Sequence, residues 1–89
     1  MKKVQSPLII SQATRARIEA LAAVRTETRA EVTRVALEGG GLRALERQHA
    51  QELRDLGEVA ASLGLPREVL AVQMLDESVS LGEIRERAA

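Results

Sequence analysis

Residues 25–41, RTETRAEVTRVALEGGG, carry the clearest structural signal in the chain. Thr28 is followed three residues later by Glu31, the spacing of a capping box, in which two side chains satisfy free backbone N–H groups at a helix start. Gly39 is the residue type that most often ends a helix in the left-handed conformation. The stretch therefore predicts a tight turn and then a helix over residues 29–38.

The segment before this turn predicts another helix. Ser11 is a favourable N-cap, and apolar residues recur at helical spacing over residues 12–24. Upstream, residues 4–10 form a short apolar run with the period of a strand, and no other convincing strand is present in the sequence. The predicted order is thus a strand, a helix, a tight turn and a capped helix.

This order resembles the ribbon-helix-helix (Arc/MetJ-like) family of DNA-binding proteins over residues 3–39, with LIIS, RIEALA and TRAEVTRVAL as the matching segments. The resemblance implies a mainly α fold in which two chains pair their strands and interlock their helices. An isolated strand leaves a row of backbone groups unpaired, and a second copy would pair them. We therefore expect a homodimer or higher homo-oligomer. Its expected core residues are Leu8, Ile10, Ile18, Leu21, Val32, Val35 and Ala36.

The resemblance also implies how double-stranded DNA would be bound. Because side chains alternate along a strand, one set would face the dimer core and the other the major groove. The groove-facing set is Gln5, Pro7 and Ile9. Phosphate contacts are implied at the start of the second helix and at the N-terminus, by Lys2, Lys3, Thr28 and Arg29. Alternatively, the apolar run is ordinary core that another element covers, and no ribbon forms.

Beyond three consecutive glycines, which we interpret as a hinge, the sequence predicts a helical extension. Helices are expected over residues 42–63, 66–77 and 80–87, the last of them after a capping box of Ser80 and Glu83. The first of these helices has an apolar stripe suited to a protein partner. The stripe consists of Leu42, Leu45, His49, Leu53, Leu56 and Leu63.

The formal charge of the chain is zero, but it is unevenly distributed. Residues 1–34 contain seven basic and three acidic side chains, whereas residues 35–89 contain six basic and ten acidic ones. A basic end and an acidic end indicate two separate tasks. We therefore predict a DNA-binding and dimerisation domain over residues 1–39 and an acidic helical extension over residues 40–89.

A second DNA-binding motif is an alternative for residues 56–75. Ala60, Gly64 and Leu70 have the small, glycine and apolar spacing of a helix-turn-helix. Gln73, however, occupies a place where that motif has an apolar residue. A plain helical hairpin is the preferred interpretation.

Composition excludes several classes of function. There is no Phe, Trp or Tyr, so the aromatic stacking that binds single-stranded nucleic acids is disfavoured. There is also no cysteine, and the only histidine lies on an apolar stripe, so we expect neither a metal nor another cofactor, and no enzymatic activity. No window is apolar enough for a membrane span or a signal peptide, which predicts a cytoplasmic protein.

The sequence therefore predicts a homodimeric transcriptional repressor that binds double-stranded DNA. Its C-terminal half would bind a protein partner, and an antitoxin that neutralises a toxin and represses its own operon is one form of this hypothesis. Two alternatives remain. One is a DNA-organising or partition accessory protein with little sequence preference, and the other is a helical protein-interaction module that does not bind DNA.

Overall fold

The computed structural model describes residues 11–88, and all the regular secondary structure in this part of the chain is helical. Its helices are α1 (Gln12–Arg25), α2 (Arg29–Glu38), α3 (Leu42–Gln48), α4 (Ala50–Ser62), α5 (Arg67–Glu77) and α6 (Leu81–Ala88). Residues 11–88 contain no strand. The prediction of a ribbon-helix-helix fold is therefore wrong. The strand predicted over residues 4–10 falls outside the described residues.

The apolar face of α1 is covered by the C-terminal helices of the same chain. α1 packs mainly along α5, and it also contacts α2, α3 and α4. Leu21 and Ala22 on this face are fully buried, and Ile18 is nearly so. The ribbon-helix-helix interpretation implied that the helices of a second copy would interlock with this helix. In the structure, α4 and α5 of the same chain return across α1 instead.

The core consists of two apolar clusters, and each draws residues from both halves of the chain. One joins α1 to α4, α5 and α6, and it contains Ala20, Ala23, Leu56, Val59, Ala60, Leu70, Ala71, Met74, Val79 and Ile84. The other joins α1 to α2 and α3, and it contains Ile18, Leu21, Ala22, Val32, Ala36 and Leu45. Leu53 and Leu75 pack against both clusters. Within residues 11–88, the two regions predicted as separate domains, residues 1–39 and 40–89, both contribute to these two clusters.

The helix predicted over residues 42–63 is divided in the structure into α3 and α4. The division falls at His49, whose backbone (φ −116°, ψ 26°) serves both as the end of α3 and as the start of α4. Leu45 on α3 and Leu56 on α4 are both buried. A change of direction between two helices therefore still allows each to bury its own apolar face.

Several helices end in the left-handed conformation. Gly40 (φ 98°) closes α2 and Gly64 (φ 74°) closes α4, as expected for a residue without a Cβ atom. Gly39, which the sequence predicts to be left-handed, has φ −112°, so this prediction is displaced by one residue. Thr26 and Ser78 close α1 and α5 with φ values of 53° and 55°. These two side chains strain the backbone, because only glycine adopts this region freely.

One of the two capping boxes predicted from sequence is complete, and the other is half formed. At α6 the box is complete, since the Ser80 N–H donates to Glu83 Oε1 at 2.8 Å and the Glu83 N–H donates to Ser80 Oγ at 3.2 Å. At α2 the Glu31 N–H donates to Thr28 Oγ1 at 3.1 Å. The Glu31 carboxylate instead accepts a hydrogen bond from Arg34. None of the helices described here combines the length and the apolar composition needed to cross a lipid bilayer.

Candidate nucleic-acid interface

The arginines of residues 11–88 divide into two groups. One group forms ion pairs with carboxylates of the same chain, and its members are Arg17, Arg25, Arg29, Arg34, Arg85 and Arg87. The second group is exposed and makes no ion pair within this part of the chain. Its members are Arg15, Arg43, Arg47, Arg54 and Arg67. Arginines of the second group keep their guanidinium donors available for an anionic partner.

Glu46 on α3 is bound by one arginine and lies within electrostatic range of two more. Arg17 on α1 donates to both carboxylate oxygens of Glu46 on α3, with Nη2–Oε1 at 2.7 Å and Nε–Oε2 at 2.9 Å. The pKa of Glu46 is lowered, chiefly by this hydrogen bond, against the opposing effect of partial burial. The charges of Arg67 on α5 and Arg43 on α3 lower the pKa further. We call Arg17, Arg43 and Arg67 the arginine cluster.

Gly57 on α4 helps to position Arg67. A Cβ atom at Gly57 would lie 3.9 Å from Cδ of Arg67, so the aliphatic stem of Arg67 runs against α4 at a position without a side chain. Arg67 is the first residue of α5, directly after Pro66. Arg67 is an exposed residue, so its charged head can stay in water while its stem contacts α4, as is usual for long basic side chains.

The exposed face of α3 extends this basic surface. Arg43 and Arg47 are four residues apart, which places them one above the other on the helix. Leu45, on the opposite face, is buried in the core and fixes the orientation of α3. Arg54 is an exposed residue of α4. We call the arginine cluster together with Arg47 and Arg54 the arginine surface. Glu46 lies within it, and the exposed Glu58 follows Arg54 by four residues on α4.

Such a surface has the chemistry of a phosphate-binding site. A guanidinium group binds phosphate oxygens with two parallel N–H donors, and its charge persists at every physiological pH. Phosphate contacts supply most of the affinity of non-specific DNA binding. They also position a protein on the duplex without reading the base sequence. The arrangement is therefore suited to the backbone of a nucleic acid.

The base-facing residues predicted from sequence cannot be placed, because they lie outside the described residues. This applies to Gln5, Pro7 and Ile9, to Lys2 and Lys3, and to the predicted core residues Leu8 and Ile10. Thr28 caps α2, and Arg29 Nε donates to Glu19 Oε2 at 3.1 Å. Both predicted phosphate-binding residues of α2 therefore have partners within the chain, and the structure does not bring them to the arginine cluster.

The remaining predicted core and partner-binding residues contribute largely to the interior. Val32, like Leu21, is fully buried, Ile18 and Ala36 are nearly so, and Val35 is half-buried. In the predicted partner-binding stripe, Leu45 and Leu56 are buried, whereas Leu42, His49 and Leu53 are half-buried. Leu63 is exposed, with 42% of its surface accessible. Most of the stripe is thus covered by the chain itself.

The α4–α5 hairpin has the local geometry of a helix-turn-helix but not the matching charge. Ala60 and Leu70 are buried, and Gly64 is left-handed. The second helix, however, exposes the carboxylates of Glu68, Asp76 and Glu77. An acidic helix is repelled by DNA phosphates, so α5 is poorly suited to enter a groove. This favours the plain helical hairpin over a second DNA-binding motif.

The arginine cluster was missed by sequence reasoning. Its members are separated by 26 and 24 positions, and two of them lie in the half of the chain where acidic residues outnumber basic ones. No short motif or local charge run marks them. Their proximity depends on the return of α3, α4 and α5 across α1, which local patterns do not specify.

The other titratable groups do not assemble into a metal site. No group of three or more His, Asp or Glu side chains within residues 11–88 is arranged to hold a metal ion.

Comparisons of the chain with protein-family models, with curated protein sequences and with solved structures find no match.

Proposed function

We propose that this protein binds double-stranded DNA through its arginine surface and represses transcription by occupying DNA near a promoter. The observation that supports the proposal is the arginine cluster around Glu46, together with exposed arginines that lack an acidic partner within residues 11–88. Ordinary surface charges, such as Arg34 between Glu31 and Glu38, are neutralised locally. Arg43, Arg47, Arg54 and Arg67 form no ion pair within residues 11–88.

The absence of aromatic residues favours duplex DNA over single-stranded nucleic acids. Proteins that bind single strands stack bases on aromatic side chains, and this chain has none. A duplex, by contrast, presents a regular array of phosphates that arginines can contact without stacking. A surface that consists of guanidinium groups contacts the backbone predominantly, so most of the affinity is expected to be independent of base sequence.

The expected strength of this interaction depends steeply on salt. If Arg43, Arg47, Arg54 and Arg67 each neutralise one phosphate, the slope of log affinity against log salt concentration is about −3.6. Raising the salt concentration from 50 to 200 mM would then weaken binding about 150-fold. Binding should therefore be measured at low salt first.

A pair of charge-matched double variants tests the proposal. Arg43→Ala/Arg67→Ala removes two positive charges from the arginine cluster. Arg85→Ala/Arg87→Ala removes two from α6, where both arginines are paired with acids. Fluorescence anisotropy with a labelled duplex should show a loss of at least about tenfold in affinity for the first variant and near-native affinity for the second.

Two outcomes would contradict the proposal. One is the absence of duplex binding by the wild-type protein at 50 mM salt, which would favour a protein-interaction module. The other is an equal loss for both double variants, which would show that only net charge matters. Comparing the DNA upstream of the protein's own gene with a shuffled duplex of the same composition separates a repressor from a DNA-organising protein.

A further inference from the structure

His49 lies where α3 meets α4, and its ring contacts the end of α1. Arg25 Nη1 is 2.8 Å from His49 Nε2. A guanidinium group can only donate hydrogen bonds, so Nε2 must act as the acceptor. The imidazole is therefore neutral in this arrangement and carries its proton on Nδ1. This contact can exist only while His49 is uncharged.

The other ring nitrogen has no hydrogen-bond partner among the described residues. His49 Nδ1 is buried, and the nearest carboxylate oxygen, Oε2 of Glu52, is 3.7 Å away. That distance is too long for a hydrogen bond. An unpaired buried donor is unfavourable, whereas a protonated ring would attract the Glu52 carboxylate. The neutral arrangement therefore competes with a second one in which the ring pairs with Glu52.

The charged groups around His49 permit this exchange. Arg25 also donates to Glu27, from Nε at 2.6 Å and from Nη2 at 3.3 Å, so it retains a partner without the ring. The hydrogen bond from Arg25 lowers the pKa of Glu27, which keeps this carboxylate ionised in mildly acidic solution. From α2, Glu31 acts on Arg25 and Arg34 acts on Glu27, and the Glu27 carboxylate is itself within electrostatic range of the His49 ring. From α4, Glu52 faces Nδ1.

Two arginines of α1 thus contact the chain on either side of Gln48, one at Glu46 and the other at His49. Arg17 holds Glu46, three residues before His49, through an ion pair whose charges both persist at neutral pH. Arg25 holds His49 itself through a contact that protonation abolishes. The segment between these contacts carries Arg47, and Arg43 lies one turn earlier on α3. Loss of the second contact leaves the end of α3 with one fewer attachment to α1.

We infer that His49 is a positioning residue for the arginine surface, and that its protonation releases the end of α3 and weakens DNA binding in acidic solution. The inference rests on the proposed function. The predicted pH dependence of DNA affinity has an unusual sign, because acidification normally strengthens DNA binding by neutralising carboxylates and adding positive charge. Histidine is the side chain that ordinarily changes charge between pH 5 and 8.

DNA affinity should be measured by anisotropy at constant ionic strength from pH 8.0 to pH 5.5. The wild-type protein is expected to lose at least about fivefold in affinity across this range. His49→Gln, which keeps an acceptor near Nε2 but cannot titrate, should lose none. His49→Ala should bind weakly at every pH. Circular dichroism establishes that both variants are folded.

A second measurement separates this inference from the proposed function, because it needs no DNA. Amide hydrogen exchange of residues 42–48, corrected for its intrinsic pH dependence, should accelerate in the wild-type protein as pH falls but not in His49→Gln. Such acceleration without any DNA binding would support the release of α3 and refute the DNA-binding proposal. Unchanged exchange in the wild-type protein, or wild-type affinity that is constant or rises on acidification, would overturn the inference.

Discussion

Replacing Leu21 by alanine tests whether the core of α1 is completed within one chain. Leu21 is fully buried in the cluster formed by α1, α2 and α3. Truncating a buried leucine destabilises a protein by about 3–5 kcal/mol, because apolar contacts are lost and a cavity remains. A domain of 89 residues has a typical free energy of unfolding of about 4–13 kcal/mol. Leu21→Ala should therefore remove a large fraction of the total stability.

Leu37→Ala is the matched control, because the same atoms are removed from a side chain that is 82% exposed. Its expected effect is below about 0.5 kcal/mol. Urea unfolding followed by circular dichroism measures both variants. The wild-type unfolding midpoint should be the same at 2 and at 100 μM protein, because the cover of α1 comes from its own chain. A loss below 1 kcal/mol for Leu21→Ala, or a midpoint that rises with protein concentration, would refute this reasoning.

Two further predictions concern the left-handed turn and the ion pair at Glu46. Thr26→Gly should raise the free energy of unfolding by about 1 kcal/mol in urea titrations, because it relieves the strain at φ 53°; no gain would argue against this strain. The pKa of Glu46 is lowered in the folded state, so its contribution to stability is present above the ordinary value of 4.5 and is lost as pH falls through the lowered value. The wild-type protein should accordingly lose more stability than Glu46→Gln between about pH 6 and pH 3, and equal losses in the two proteins would contradict the ion pair.

Local features of the fold are the ones that the sequence predicts well. The bounds of α2 are confirmed, and so are the capping contacts at Thr28 and at Ser80. Each depends on residues three or four positions apart, so the relevant atoms are brought together by the helix itself. The position of the α4–α5 turn at Gly64 is confirmed as well.

Features that depend on distant parts of the chain were not predicted. The apolar face of α1 could be covered by a second copy or by a later helix, and periodicity alone does not distinguish these outcomes. The structure shows that α5, about fifty residues away, provides more of the cover than any other helix. The division at His49 was also missed, because an apolar stripe continues across a bend as well as along a straight helix.

The candidate site shows the same limitation more strongly. Arg17, Arg43 and Arg67 have no common motif, and they act on the same carboxylate only because α3 and α5 both pack against α1. The acidic composition of the C-terminal half concealed them, since net charge averages over faces that point in different directions. DNA binding by the arginine surface is our proposal, and it involves other residues than those that the sequence predicts.

The salt dependence of duplex binding tests the DNA-binding account most directly. The equilibrium constant should be measured by anisotropy between 50 and 200 mM NaCl for the wild-type protein and for Arg67→Ala. The account predicts a wild-type slope of about −3.6 in the log–log plot and a slope that is smaller in magnitude by about 0.9 for the variant. Affinity that does not change with salt, or an identical slope for the two proteins, would contradict phosphate binding by the arginine surface.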